Sequence, residues 1–282
     1  MSAARVHGYT ISHYDCPMAM VTSVRNPLLK EVRRAVHQGT LTSDGLCVAE
    51  GFHLLEEALR SDCAIEHVIV AEPVRAALSA HVAGLKHVRV IAIDEALFAT
   101  ISSTEASQGV VTLLRPPAWT LDHVFRGISL VVIVDGVQDP GNGGAIVRAA
   151  EAFGATGVVF LKGSANPYNP KALRASAGSV FRIPLVAAAD DRLLLAVAEK
   201  KRARLYAAMP RGGCTIDATN LSGRCAVVIG AEGRGVSQVL ASEAMPLRIP
   251  TSAVESLNAA MAAGIILYEA RRQRSTAIEA HG

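Results

Sequence analysis

LVVIVDGVQDPGNGGAIVRAAEAFGA, residues 130–155, decides the fold. Leu130–Val134 is a continuous apolar run of the kind that suits a strand buried on both faces of a parallel sheet. Asp135 ends it, Asp139-Pro140-Gly141 forces a bend, and Asn142 is placed to cap a following helix over Gly143–Phe153. On that helix Ile146, Val147, Ala150 and Phe153 face one way, and Arg148 faces another. Two later stretches repeat the strand–turn–helix pattern, VVIGAEGRGVS (Val227–Ser237) and LRIPTSAVESLNAAMAAG (Leu247–Gly264). Such turns are where an open α/β sheet binds small ligands.

Working outward, Val158–Leu161 and Ala226–Ile229 read as further buried strands. Pro170–Gly178, Arg192–Lys201 and a long Ser256–Arg272 read as helices. Upstream, short strands and helices alternate. Helices are expected at Pro27–His37, Phe52–Arg60, Val74–Val82 and Glu95–Ile101, and strands at Leu46–Ala49, Val68–Val70, Val88–Ile91 and Gly109–Leu114. This alternation predicts a smaller α/β domain over 20–115, after an N-terminal extension over 1–19. Arg115-Pro116-Pro117 breaks the pattern, so 116–127 reads as a linker, 128–275 as the second domain and 276–282 as a tail.

The chain has 282 residues, half of them hydrophobic and 19% charged, enough for two cores. The formal charge of +3 is uneven: residues 1–117 carry 10 basic and 12 acidic side chains, residues 118–282 carry 18 and 13. That excess permits an anionic partner without demanding one. Cys16, Cys47, Cys63, Cys214 and Cys225 form no CxxC pair, which suits a reducing cytoplasm and predicts no metal. No apolar run reaches the length of a membrane span, so no membrane partner is expected.

Each turn read alone has a plain structural alternative. The first fits an ordinary capped helix with a surface arginine. In the second, Gly230, Gly233 and Gly235 bracket Glu232 and let backbone approach a ligand closely, but the spacing is neither a P-loop nor GxGxxG. In the third, Ser256 reads as a helix N-cap, whereas Asn258 within a first turn has low helix propensity and asks for another reason.

Taken together, the three stretches resemble the three motifs of the SpoU branch of the SPOUT superfamily, the TrmH-like tRNA and rRNA ribose 2′-O-methyltransferases. The likeness runs from Leu130 to Arg272, and includes NPYNPKALRASAGSVFRIP (Asn166–Pro184) between motifs one and two. The N-terminal part, from Val21-Thr22-Ser23 through Glu50-Gly51 to Gln108-Gly109-Val110, resembles the RNA substrate-binding domain of many members, akin to small ribosomal RNA-binding proteins. The resemblance implies a parallel-sheet domain tied in a deep trefoil knot, with S-adenosylmethionine bound against Gly230, Ile249 and Leu257. It implies catalytic roles for Asn142, Arg148, Glu232, Ser256 and Asn258, and a homodimer whose site is completed across the interface. It implies transfer of a methyl group to a ribose 2′-hydroxyl of RNA, ribosomal RNA rather than tRNA because the N-terminal domain resembles that of rRNA-modifying members. The sequence departs from the family pattern in three places. Ala231 stands where many members have asparagine or serine, the loop Thr251–Glu255 is one residue shorter than in some rRNA enzymes, and His37-Gln38-Gly39-Thr40 replaces a basic cluster after the first helix.

Within that reading Glu232 pairs with Arg148 or fixes the loops, and Asn142 and Asn258 hold the arginine and the nucleophile. The apolar face Leu257, Ala260, Met261, Gly264, Ile265 and Tyr268 packs on a second copy or on its own sheet. Arg271-Arg272-Gln273-Arg274 touches RNA or caps the helix dipole. Two other classes stay open, a non-catalytic RNA-binding or ribosome-assembly factor on the same fold, and a doubly wound nucleotide-binding enzyme.

Overall fold

The computed structural model describes residues 19–61, 63–82 and 88–279. The expected N-terminal extension, Ala19 apart, lies outside the described residues, as do Cys16 and the end of the expected tail. The chain divides into two compact units between Pro116 and Pro117.

The first unit runs β1 (Ala19–Met20), α1 (Pro27–Gln38), β2 (Cys47–Glu50), α2 (Phe52–Arg60), β3 (Ala64–Ala71), α3 (Arg75–Val82), β4 (Arg89–Ile93), α4 (Glu95–Ala99) and β5 (Val110–Arg115). Helix α1 starts where local chemistry puts it. Asn26 accepts from the amides of Leu28 and Leu29, Pro27 occupies the first turn, and Gly39 closes the helix in a left-handed conformation. Its buried stripe, Leu29, Val32 and Ala35, repeats every three residues and packs on Val48, Ile69, Ile93, Phe98 and Leu113. The sheet order is β1-β4-β3-β5-β2, with β5 antiparallel to both its neighbours. At the end of β2 the buried carboxylate of Glu50 accepts from the hydroxyls of Ser102, Ser103, Thr104 and Ser107 and the amide of Ser103. It thereby fixes the loop that returns to β5.

The second unit runs α5 (Leu121–Val124), β6 (Leu130–Asp135), α6 (Pro140–Ala152), β7 (Gly157–Leu161), α7 (Pro170–Ser176), β8 (Leu185–Ala189), α8 (Asp191–Lys200), β9 (Arg204–Ala208), β10 (Cys214–Thr215), β11 (Cys225–Gly230), α9 (Gln238–Glu243), β12 (Met245–Arg248) and α10 (Ala259–Glu279). Its seven strands are all parallel, in the order β10-β12-β9-β11-β6-β7-β8. β6 and β11, the expected apolar runs, pair along their full length at the centre, and every residue of β6 is buried. α6 crosses α7 so closely that a Cβ on Gly144 would meet the backbone of Ala172.

The sequence expectations need correction in several places. The stretch expected as linker holds α5, whose Leu121 and Val124 are buried with Phe125. Helix α6 begins at Pro140, three residues early, and is capped by Asp139 rather than Asn142. Phe153 is only half-buried. Helix α10 starts at Ala259, so Ser256 and Leu257 precede it. It runs on to Glu279, which removes dipole capping as the role of the 271–274 cations. Arg274 instead donates to the carbonyls of Ile128 (2.8 Å), Ser129 (3.1 Å), Leu221 (3.0 Å) and Gly223 (2.5 Å), pinning α10 to the loops before β6 and β11.

Candidate active site

The C-terminal ends of β9, β11 and β12 open into a cavity of about 390 Å³, within the range of small-molecule sites. Ile229, Leu247, Ile249 and Leu257 give it apolar walls, and the turn after β11 forms its polar rim. That turn is a tight hairpin, closed by the pair of backbone hydrogen bonds between Ala231 and Gly235. A Cβ on Gly230 would collide with the backbone of Gly235 and Val236, so the close return of the chain requires glycine there. Gly233 and Gly235 take positive φ of 84° and 72° beside open space, which leaves their backbone accessible. Gly230, Ile249 and Leu257 all line this cavity, together with Glu232 and Ser256.

Above the rim, three residues far apart in sequence meet. The Asn142 amide donates to Glu232 Oε1 at 2.5 Å, and the Asn258 amide donates to the same oxygen at 3.1 Å and to Asn142 Oδ1 at 3.2 Å. Each residue is set by its own element. The early start of α6 puts Asn142 inside the first turn with its side chain free for Glu232, because Asp139 takes the capping role and is itself held by Lys171 at 2.6 Å. Lys171, first among the groups that hold it so, and the amide of Gly141 keep the Asp139 carboxyl below the usual carboxylate range. Asn258 caps α10: its Oδ1 accepts from Ala260 and Met261, and its carbonyl accepts from Ala262. One asparagine side chain therefore both starts a helix and joins the cluster, which answers the low propensity noted in the sequence.

Arg148 is placed elsewhere. It lies six residues beyond Asn142, about 9 Å along α6 and about 240° around it. It is exposed and makes no hydrogen bond or ion pair among the described residues. Within one chain Glu232 therefore engages the two asparagines and not the arginine. Ser256 is exposed in the loop before α10 and caps no helix.

Sequence reading passed over three features here. Arg234, between the glycines of the second turn, lines the cavity and lays its guanidinium over Gly136. Asp135 is buried and accepts from the amide of Ser237 at 2.6 Å, tying the end of β6 to the start of α9. Arg211 and Glu255, 2.8 Å apart, join the two loops that flank the cavity. The quoted motif already contained Arg234, but its glycines drew the reading toward the backbone. The other two links join residues too distant in sequence for spacing to reveal.

Residues 129–268 match the SpoU rRNA Methylase family, and residues 26–112 match the MRM3-like substrate binding domain. An uncharacterized tRNA/rRNA methyltransferase of Synechocystis is 32% identical over 91% of this chain and 95% of its own length. The chain belongs to the SpoU methylase family. A 23S rRNA (guanosine(2553)-2′-O)-methyltransferase of Bacillus subtilis is 29% identical over 90% of this chain and all of its own. The crystal structure of the SpoU methyltransferase AviRb from Streptomyces viridochromogenes, in complex with AdoMet, superposes with a TM-score of 0.80 at 26% identity, over 89% of this chain and 99% of that one. Within this family the parallel sheet, the cavity at its strand ends and the preceding substrate-binding unit are the expected parts. The doubly wound alternative is set aside.

Proposed function

We propose that this protein methylates a ribose 2′-hydroxyl of ribosomal RNA, most simply 23S rRNA, with S-adenosylmethionine held in the cavity at the ends of β9, β11 and β12. The observation that carries the reading is the convergence of three distant motifs on one rim, joined by the hydrogen bonds of Asn142, Glu232 and Asn258 beside that cavity. The cavity fits the donor in kind. Ile229, Leu247, Ile249 and Leu257 offer apolar walls for a purine, and the glycine hairpin offers backbone donors and acceptors to the donor's polar parts. When bound, S-adenosylmethionine supplies an electrophilic methyl carbon.

The chain must then orient the 2′-oxygen and see its proton removed. A guanidinium keeps its proton, so Arg148 serves as a clamp on the ribose and a neighbouring phosphate, through charge-assisted hydrogen bonds, and a phosphate oxygen takes the proton. Alignment of this kind is worth more than the roughly 10²–10⁴-fold of general-base help alone. Glu232, tied to Asn142 and Asn258, holds the rim in shape and keeps its second carboxylate oxygen for a ligand donor.

Arg148 and the cavity are brought together by a second copy. Met261, Ile265 and Tyr268 stand exposed on α10, with the Tyr268 ring edge-on to that of Phe153, just past the end of α6, at 5.8 Å between centroids, and Gly264 lies between them. The inward face of α10 is a different one, Ala259, Ala263, Ile266, Leu267 and Ala270, so the sheet does not account for the outward ridge. A homodimer through this ridge covers it and presents the neighbouring Arg148 to the partner's site. The trefoil knot belongs to the same reading, supported by membership of the family. Action in the cytoplasm follows from the substrate, and no described helix is long and apolar enough to cross a membrane.

Calorimetry with S-adenosylmethionine and transfer of a tritiated methyl group to rRNA test the proposal. Donor binding with transfer supports it; absence of donor binding favours the assembly-factor alternative.

A further inference from the structure

The opposite end of the second sheet carries a feature that the reaction does not use. Three adjacent strands, β9, β11 and β6, begin in line: Arg204 pairs with Cys225, and Cys225 with Leu130. The residues just before and at these starts are cationic. Arg204 donates its amide to the carbonyl of Arg224 at 3.0 Å, and Arg224 Nε donates to the carbonyl of Gly127 at 3.0 Å, next to Arg126. The last turn of α8 and the bend after it add Lys200, Lys201 and Arg202. Two acidic groups stand among them. Glu199 is exposed, and Asp122 of α5 is held by Lys201 at 2.6 Å. Lys201 first, then Lys200 and His123, keep the Asp122 carboxyl below its usual range, which puts these side chains within electrostatic reach of one another.

Helix α8 would attract one or two cations to its C-terminus by its dipole alone, which accounts for Lys200 and Lys201. It does not account for Arg126, Arg204 and Arg224, which sit on loops and strand starts. Among the described residues, Arg126, Lys200, Arg202 and Arg204 make no side-chain hydrogen bond or ion pair and are exposed. A row of unneutralised cations repels itself, so the fold gains nothing by gathering it. It suits a polyanion. Two exposed side chains beside it, Ile128 at 65% exposure and His123 on α5, supply surface for sugars and bases. Ile128 is the single large exposed apolar side chain at these strand starts, too little for insertion into a lipid surface.

We propose that the strand-start end of the second unit, centred on Arg126, Lys200, Arg202 and Arg204, is a second RNA-binding surface that grips the phosphate backbone of the substrate away from the methylated nucleotide. It rests on the RNA reading above. β11 is six residues long, so the patch lies about 17 Å or more from Gly230 at the cavity. Even stacked at about 3.4 Å per nucleotide, an RNA strand of roughly five nucleotides spans that distance. The phosphates held here would set affinity, and the catalytic end would set position.

The test is a triple variant, Arg126→Gln, Lys200→Gln and Arg204→Gln, compared with the full-length wild type for binding to protein-free 23S rRNA across a salt series. The expected result is an affinity loss of about tenfold or more and a salt slope shallower by about 2–3, since each lost phosphate contact removes roughly 0.7–0.9. KM for rRNA rises while kcat at saturating rRNA and S-adenosylmethionine affinity stay at wild-type values, which also shows that the variant is folded. Restoring charge with Arg126→Lys and Arg204→Lys, Lys200 kept, returns most of the slope. Wild-type affinity and slope in the Gln variant overturn this inference and leave the methyltransferase reading standing. Lost binding to phosphatidylglycerol vesicles with unchanged rRNA binding also overturns it. A wild type that binds no rRNA overturns both.

Discussion

At the scale of single residues, Asn258 carries the most connections. It caps α10 and donates to both Glu232 and Asn142. Asn258→Ala removes an N-cap worth about 1 kcal/mol and frees the rim, so thermal unfolding moves down modestly while methyl transfer falls far more steeply than donor binding. Arg148→Ala is expected to separate the two functions more sharply. Its side chain is exposed and makes no hydrogen bond or ion pair among the described residues, so stability and donor affinity stay, while transfer drops by about 100-fold or more. Donor calorimetry beside a tritium-transfer assay reads both variants; an Arg148→Ala enzyme of full activity contradicts its assigned role. In the first unit, burial pushes the Glu50 carboxyl up, but hydroxyls of Ser102, Ser103 and Ser107 with the Ser103 amide outweigh it and leave it below the ordinary range. A carboxyl lowered by folding contributes stability above its unfolded value, near about 4.3, and that contribution is lost as pH falls through the folded one. Glu50→Gln should therefore cost about 1–3 kcal/mol at neutral pH, and the gap from wild type should narrow in acid, as followed by denaturant unfolding of the whole chain.

At the scale of elements, close approach governs α6. Gly144 faces the backbone of Ala172, and Gly144→Val drives α6 and α7 apart. Overpacking of this kind costs about 1–3 kcal/mol, and it also displaces Asn142, two residues away on the same helix, so stability and transfer fall together. How much of this was legible in the sequence follows from how local the cause was. Phe52–Arg60 is read to the residue, and β6 and β11 within one residue at either end, because continuous apolar runs and helical spacing are local signals. α6 was read late because Asn142 looked like the cap, and only the fold shows that Asp139, held by Lys171, takes that place. β8 ends in three alanines, two of them exposed, and β10 has only two residues, so neither stands out as a buried run; they are strands because neighbours pair with them. α5 hid in a proline-rich stretch because four residues carry too little periodicity to see.

At the scale of the whole molecule, the candidate residues were legible in the sequence but their arrangement was not. The motif resemblance singled out Asn142, Glu232 and Asn258 as candidates, yet their mutual hydrogen bonds, and the absence of Arg148 from that cluster, come only from the three-dimensional path. The outward ridge of α10 was visible as an apolar stripe, and the fold settles that its own sheet leaves Met261, Ile265 and Tyr268 uncovered. Tyr268→Glu places a charge on that ridge and should convert the proposed dimer into a monomer in analytical ultracentrifugation. Donor binding to each chain persists, while transfer is lost with the partner's Arg148. A variant that remains dimeric and active removes the ridge from the interface.

The central claim is transfer of a methyl group to a ribose oxygen of ribosomal RNA by the rim of Asn142, Glu232, Asn258 and Arg148. The most direct test is to map 2′-O-methyl groups across the rRNA of a strain lacking this protein, and then to treat that RNA with the pure enzyme and labelled S-adenosylmethionine. The account predicts one ribose methyl missing from 23S rRNA and restored in vitro by the wild type but not by Arg148→Ala, with the label in an alkali-resistant dinucleotide. An unchanged ribose-methylation map, or label recovered on a base, would contradict it.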